Sequence, residues 1–221
     1  MQSLRRALPL RVRRWLEMRM VRLLTYSAGR APWAWRGSGA AALMRGTFDP
    51  MARVWENTIG GHGERWIEPL LAGLDELTRP PTRVLDLGTG TGAAAAEIAR
   101  RFPSAEVTGA DLAPRMVARA GEVHADLNNL RFVVADAADL PFNDAGFDLV
   151  VLLNAPIFFE ELARVVRPAG SVLVCFTFGD RTPIFLPTAE VERKLAHFGF
   201  ERVHSGRRGQ GVWTLGVRRT Q

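Results

Sequence analysis

From Pro81 onward the chain alternates two hydrophobic rhythms. Short apolar runs at about 83–87, 106–110, 130–135, 147–153 and 171–177 read as β-strands. Between them, stretches at about 92–102, 114–124 and 157–166 carry apolar residues at helical spacing, with a short turn near 137–140. Strands alternating with helices form βαβ units, so the expected class is α/β with a parallel sheet covered by helices on both faces. The tail departs from this rhythm. A helix near 188–198 leads to Phe200–His204, and a glycine-rich turn (Gly206, Gly209, Gly211) leads to Val212–Arg218. Two strands joined so briefly are most naturally an antiparallel hairpin.

Upstream the pattern is helical and then irregular. In Arg11–Tyr26, the residues Val12, Trp15, Leu16, Met20, Leu23 and Leu24 recur at spacings of three and four, with arginines between them. Ala28–Pro50, broken by Gly29, Pro32, Gly37, Gly39, Gly46 and Pro50, reads as loop. Residues 51–59 and 63–78 read as helices separated by Gly60-Gly61-His62-Gly63. The division is thus an N-terminal arm, 1–48, and a domain, 49–221.

Charge sharpens that division. Residues 1–48 hold ten arginines and one acid, Glu17, so the extreme basicity belongs to the arm, and the rest of this +6 chain is mildly acidic. A basic amphipathic helix with a tryptophan on its apolar side suits an anionic membrane surface or nucleic-acid phosphates, or packs on the domain with its arginines solvated. An Arg-rich start also fits a transit peptide, and Met44 is a possible alternative start. A single cysteine, Cys175, excludes an intrachain disulfide and a multi-cysteine metal site. Its place in an apolar strand makes it an inert thiol. The location expected is cytoplasmic, with membrane contact through residues 11–26.

The chemistry gathers at strand ends. Val84-Leu85-Asp86-Leu87-Gly88-Thr89-Gly90-Thr91-Gly92 is a strand, an acid and three alternating glycines, followed at once by an alanine-rich helix. Such a turn brings free backbone N–H groups to a nucleotide-type cofactor. Taken alone it also satisfies a loose dinucleotide fingerprint, Gly88-x-Gly90-x-x-Ala93. The next strands end at Asp111-Leu112, Asp136-Ala137 and Asn154. Ligands of open α/β sheets lie beyond the carboxyl ends of the strands. Asp111 and Asp136 also suit helix or turn caps. An acid at the end of the second strand accepts from both hydroxyls of a ribose, in NAD or in S-adenosylmethionine.

As a set, these segments resemble the class I S-adenosylmethionine-dependent methyltransferases, over about residues 50–221. Val84–Gly92 is similar to the family's first motif, Asp111 to its ribose-binding acid, and Val134-Ala-Asp136-Ala-Ala-Asp-Leu-Pro-Phe142 to the segment whose aspartate contacts the adenine amino group. Phe147–Val151 resembles the fourth strand, and Glu161–Gly170 the helix and turn before the fifth, with Ala169 where a glycine is common. The resemblance implies a Rossmann-like seven-stranded sheet, mostly parallel, with an antiparallel last strand. It implies S-adenosylmethionine as cofactor and no metal. The cofactor set it implies is Asp86, Gly88, Thr89, Gly90, Gly92, Asp111, Leu112, Asp136, Ala137 and Asn154. The glycine turn would approach the methionine portion, and Asp86 would fix its amino group.

His62, in the glycine-flanked turn before the core, is the candidate general base; His124, His197 and His204 fall at helix or hairpin positions and read as structural. The compact Asn154–Gly170 segment and the acidic body favour a small-molecule acceptor. A second reading is an amino-group methyltransferase on nucleic acid or protein, but Asn154-Ala155-Pro156-Ile157 departs from the Asn-Pro-Pro-aromatic motif such enzymes resemble one another in. A third is a non-catalytic scaffold recruited to membranes by the arm.

Overall fold

The computed structural model describes residue 35, residues 39–60 and residues 63–220, the side chains of 57–60, 63 and 64 apart. The helix expected over 11–26 and His62 lie outside the described residues.

One seven-stranded sheet organises the chain: β1 Arg83–Leu87, β2 Glu106–Asp111, β3 Leu130–Val134, β4 Phe147–Leu153, β5 Val166–Phe176, β6 Phe200–Arg208 and β7 Gly211–Arg218, in the spatial order β3-β2-β1-β4-β5-β7-β6. β1 to β5 pair in parallel, and β7 lies antiparallel between β5 and β6. The helices are α1 Ala40–Phe48, α2 Ala52–Gly60, α3 Glu68–Asp75, α4 Ala93–Arg101, α5 Pro114–Val123, α6 Phe159–Val165 and α7 Thr188–His197.

The apolar run of β4 shows why the sheet is covered twice. Val150 and Leu152 enter one core with α6 and α7, through Leu162, Val165, Val191 and Leu195. Leu149, Val151 and Leu153 enter the other with α3 and α4, through Leu70, Leu74, Ala95 and Ile98. A strand buried on both faces needs no polar alternation. Cys175 is wholly buried in the second core, and burial first, with the nearby Asp86 charge second, pushes its thiol well up, so it is inert as expected.

Three boundaries differ from the sequence reading. Ala40–Phe48, expected as loop, is α1: it begins after Gly39 in the left-handed region (φ 72°) and buries Ala40 and Met44. The glycines at 39 and 46 hid a helix whose packing surface lies on residues far away in the sequence. β5 begins at Val166, five residues early, because the register shifts between Phe147 and Leu149 and a bulge absorbs Pro168 and Ala169 (φ 60°). Asp148 opposite that bulge accepts hydrogen bonds from the Thr82 and Arg83 N–H groups and pairs with Arg167. Burial would raise its pKa, but bonds from Thr82, Arg167 and Arg83 outweigh it and hold the carboxyl well below the usual range. Finally, β6 runs on to Arg208 through the expected turn: Gly206 faces Trp213, whose indole takes the space a side chain at 206 would need.

No helix among the described residues is long and apolar enough to cross a membrane.

Candidate active site

At the carboxyl ends of β1, β2 and β4 a cavity of about 520 Å³ opens, within the usual range of small-molecule sites. Every described residue of the expected cofactor set except Gly92 lines it: Asp86, Gly88, Thr89, Gly90, Asp111, Leu112, Asp136, Ala137 and Asn154. Gly92 caps α4 in the left-handed region (φ 88°), and the adjoining Thr91 carbonyl accepts a hydrogen bond from His124 Nε2 at 3.1 Å. His124 therefore clips the turn to α5, a structural role as expected. Burial, then repulsion by Arg100, lowers its pKa, and the carbonyl partner requires a proton on Nε2.

The turn is shaped for close approach. Gly88 has φ 71°, and a Cβ there would lie 2.5 Å from the Ala155 Cβ, so no other residue fits. The Gly88 and Thr89 N–H groups both donate to the Ala110 carbonyl, at 2.8 and 3.1 Å, which locks the turn onto β2. Trp55 of α2 packs against Gly90, its Nε1 3.1 Å from where a Cβ would lie.

Each acid is held differently. Asp86 is 1% exposed and accepts from the Thr89 hydroxyl at 2.6 Å. Burial pushes its pKa up to about 7; the Thr89 bond opposes this and the Asp111 charge adds to it. Asp111 accepts the Gly90 N–H on one oxygen and the Ala113 N–H on the other, both at 2.9 Å. It fastens the chain just ahead of α5, whose N-cap is Ala113 and carries no side-chain cap, so the capping expectation does not hold; the residue lines the cavity, and burial raises its pKa against those N–H bonds. Asp136 accepts the Ala138 N–H at 2.9 Å and, unforeseen from sequence, the indole N–H of Trp35 at 3.2 Å.

Asn154 sits at φ 56° and its amide is turned away toward β5: it donates to the Thr177 hydroxyl at 2.7 Å and accepts the Thr177 N–H at 2.9 Å. It joins two strand ends, and what it offers the cavity is backbone.

The facing wall is aromatic and apolar, a feature sequence reasoning missed because its parts come from distant segments. Trp55 packs edge-on against Phe48 and Trp66, and Trp66 against Phe178. Trp35 packs edge-on against Phe158, with ring centres 5.3 Å apart. Polar contacts hold this wall down: Asp49 accepts the Arg115 N–H at 2.7 Å at the start of α5, and Glu56 pairs with Arg119. Phe158 and Ile184 also line the cavity, whereas their neighbours Phe159, Phe185 and Leu186 belong to the core against β5. Among the described residues no cluster of three or more His, Cys, Asp or Glu is placed to hold a metal ion.

Residues 84–170 match the family model described as a methyltransferase domain. Those residues carry a methyltransferase domain, on a fold shared with solved S-adenosylmethionine-dependent methyltransferases. It is 41% identical to a malonyl-[acyl-carrier protein] O-methyltransferase of Halorhodospira halophila over 63% of this chain and 49% of that one. It is 42% identical to a demethylmenaquinone methyltransferase of Thermus thermophilus over 44% of this chain and 48% of that one. The chain thus spans about half the length of these relatives. A solved SAM-dependent methyltransferase from Aquifex aeolicus superposes on 70% of this chain and 91% of its own, with a TM-score of 0.57 at 20% identity, a likeness of fold.

The three acids of this methyltransferase domain divide the cavity into two sides. Asp86, Asp111 and Asp136 come from the ends of neighbouring strands and form a polar edge, and the aromatic wall faces it. A ligand with an ammonium, a ribose and an amino-bearing base along one side fits the donor pattern that edge requires.

Proposed function

We propose that the protein transfers a methyl group from S-adenosylmethionine to a small acceptor with an apolar body. The observation that carries this reading is a cavity with three carboxylates along one side and aromatic rings along the other. The relatives named for malonyl-acyl carrier and demethylmenaquinone acceptors support a small-molecule class, and the aromatic wall favours the ring-bearing kind. The turning of the Asn154 amide toward Thr177 disfavours an amino-group enzyme that would use that side chain on its target.

When bound, S-adenosylmethionine supplies a methyl group already activated by its sulfonium. The chain's part is placement. Asp86 receives the ammonium, Asp111 the ribose hydroxyls and Asp136 the adenine amino group, while the Gly88 turn lets the backbone come close. The aromatic wall excludes water and aligns the acceptor for in-line attack, an effect that reaches on the order of 7–11 kcal/mol in the best-oriented reactions.

The test is methyl transfer from labelled S-adenosylmethionine to a panel holding a demethylated quinol, a malonyl thioester and a bulk RNA. We expect label in the quinol. Label in RNA alone would overturn the small-molecule reading.

Asp86 gives a pH dependence with a definite sign. Its raised pKa means the folded protein keeps a proton there between about pH 4 and 7 while the unfolded chain has lost it, so this group's contribution to stability falls as pH rises through that window. Cofactor binding runs the other way, because the ammonium needs the carboxylate. Affinity for S-adenosylhomocysteine should climb up to about tenfold per pH unit below 7 and then level off. Calorimetry from pH 5.5 to 8.5 checks this. Asp86→Asn should bind weakly and lose the rising limb.

A further inference from the structure

We propose that Arg45 and Thr182 form the acceptor's own subsite, and that the group they receive is an anionic oxygen, of a carboxylate or an ionised phenol, carried on the apolar body. The inference rests on the methyltransferase reading and deepens it. The three acids hold the cofactor, and these two donors fix the charge of the molecule that meets it.

The polar side chains of the cavity divide by what already engages them. Asp86, Asp111 and Asp136 are acceptors along the cofactor edge, and the Thr89 hydroxyl is donated to Asp86. Thr47 donates its hydroxyl to the Leu43 carbonyl at 2.9 Å, and the Asn154 amide is held by Thr177. Thr91 belongs to the glycine turn. What remains is Arg45 of α1 and Thr182, in the turn that follows β5. Both are donors.

Arg45 is exposed and lines the cavity, which places it at the mouth. Among the described residues it is the only basic side chain that lines it. On a helix its natural partner would be an acid four positions on, and Asp49 stands there. Asp49, however, is engaged by Arg115, accepting its backbone N–H at 2.7 Å and pairing with its guanidinium at 3.3 Å. The Arg45 side chain therefore makes no hydrogen bond or ion pair with any described residue.

Thr182 is 4% exposed. Its oxygen accepts the N–H of Phe178, a ring of the aromatic wall, at 3.2 Å, and its own proton meets no acceptor among the described residues. A buried hydroxyl proton left in this state carries a desolvation cost that a ligand oxygen would relieve. The two donors come from segments that meet: Ile184, two residues beyond Thr182, packs on the buried cluster that contains Met44, the neighbour of Arg45. A wall that offers only donors selects a molecule that offers lone pairs, and a guanidinium favours one that carries negative charge. The surrounding rings take the apolar body.

The experiment uses the full chain saturated with S-adenosylhomocysteine and two pairs of ring compounds: naphthoate against naphthamide, and para-nitrophenolate against para-nitroanisole. By calorimetry the anion of at least one pair should bind about fivefold tighter than its neutral partner, the upper scale for a charge pair that stays partly in water. The pair that shows the preference tells a carboxylate site from a phenolate site. Raising salt from about 0.05 to 0.5 M should shrink the preference. Arg45→Gln should bring the ratio to about one, and Arg45→Lys should keep part of it. Thr182→Val should weaken the preferred anion about tenfold, and Thr182→Ser, which keeps the hydroxyl, should restore it. Binding of S-adenosylhomocysteine by each variant shows that it has folded.

No preference for the anion in either pair, a preference that survives Arg45→Gln, or no loss in Thr182→Val overturns the proposal; in the second case Arg45 is a solvated cation at a helix end. If Arg45→Gln instead loses affinity for S-adenosylhomocysteine while the ratio stands, Arg45 holds the cofactor's carboxylate, and the proposal is again overturned. If the parent fails to bind S-adenosylhomocysteine, the methyltransferase reading fails and the proposal falls with it. If the parent binds it and favours neither anion, only the proposal falls.

Discussion

Replacing Asp111 by alanine should weaken S-adenosylhomocysteine binding about a hundredfold while leaving the fold intact. Hydrogen bonds to a charged group are worth about 1.5–3 kcal/mol each, and a ribose offers two hydroxyls to this carboxylate. Competition with water brings the total to about 3 kcal/mol, which is roughly a hundredfold. The carboxylate also pins the Gly90 and Ala113 N–H groups, at 2.9 Å each, so its loss frees the glycine turn just where the ligand needs it rigid. Asn at 111 should do little better, because one of its two termini is an NH₂ facing a backbone N–H. Stability should hardly change, since the acid is already disfavoured by burial. Calorimetry alongside circular dichroism reads both outcomes. A loss below about fivefold would place the ribose elsewhere.

The largest effect on stability should come from Arg164→Ala. Glu161 is buried, and both its oxygens are held by Arg164, at 2.9 and 2.7 Å, with the Leu140 N–H at 2.8 Å. Arg164 also donates to the Leu140 and Phe142 carbonyls, at 2.9 and 2.7 Å, and so braces the loop that follows Asp136. Removing the arginine strands a buried carboxylate and two carbonyls. Breaking a buried pair costs about 3–5 kcal/mol, and the partial exposure of Arg164 places this case near about 3. At about 2–4 °C per kcal/mol for a chain of this size, the melting temperature should drop by roughly 6–12 °C. Glu161→Gln in the same background should recover part of the loss, because a neutral amide is cheaper to bury alone. If the single variant melts within about 2 °C of the parent, the bridge is not the brace its geometry suggests.

How far the sequence could be read depended on the range of the interactions involved. The glycine turn, Asp86 and Asp111 were legible because local chemistry dictates them: a strand, a left-handed turn and a strand-end acid are written in adjacent residues. The apolar run of β4 announced burial on both faces, and the terminal hairpin was plain in its two strands. Long-range contacts left no such mark. Trp35 finds Asp136 across 101 positions, and the helix at Ala40–Phe48 is stabilised by residues such as Ala138 and Phe158, so two glycines outweighed it in a local reading. Asn154 was recognised as a strand-end polar group, but its engagement with Thr177 depends on the β4–β5 pairing. The early start of β5 was hidden for a related reason. Pro168 and Ala169 signal a turn, and only the partner strand reveals that they form a bulge.

The place of β7 has a consequence for how the molecule is made. It is the last strand in chain order, yet it lies inside the sheet, between β5 and β6. Until residue 218 has left the ribosome, β5 presents an open edge, Ser171 to Phe176, with its backbone groups unpaired. The nascent chain therefore carries, at the centre of its future core, a sticky apolar strand that only β7 can close. During synthesis that edge is where a chaperone, or another nascent chain, would first take hold.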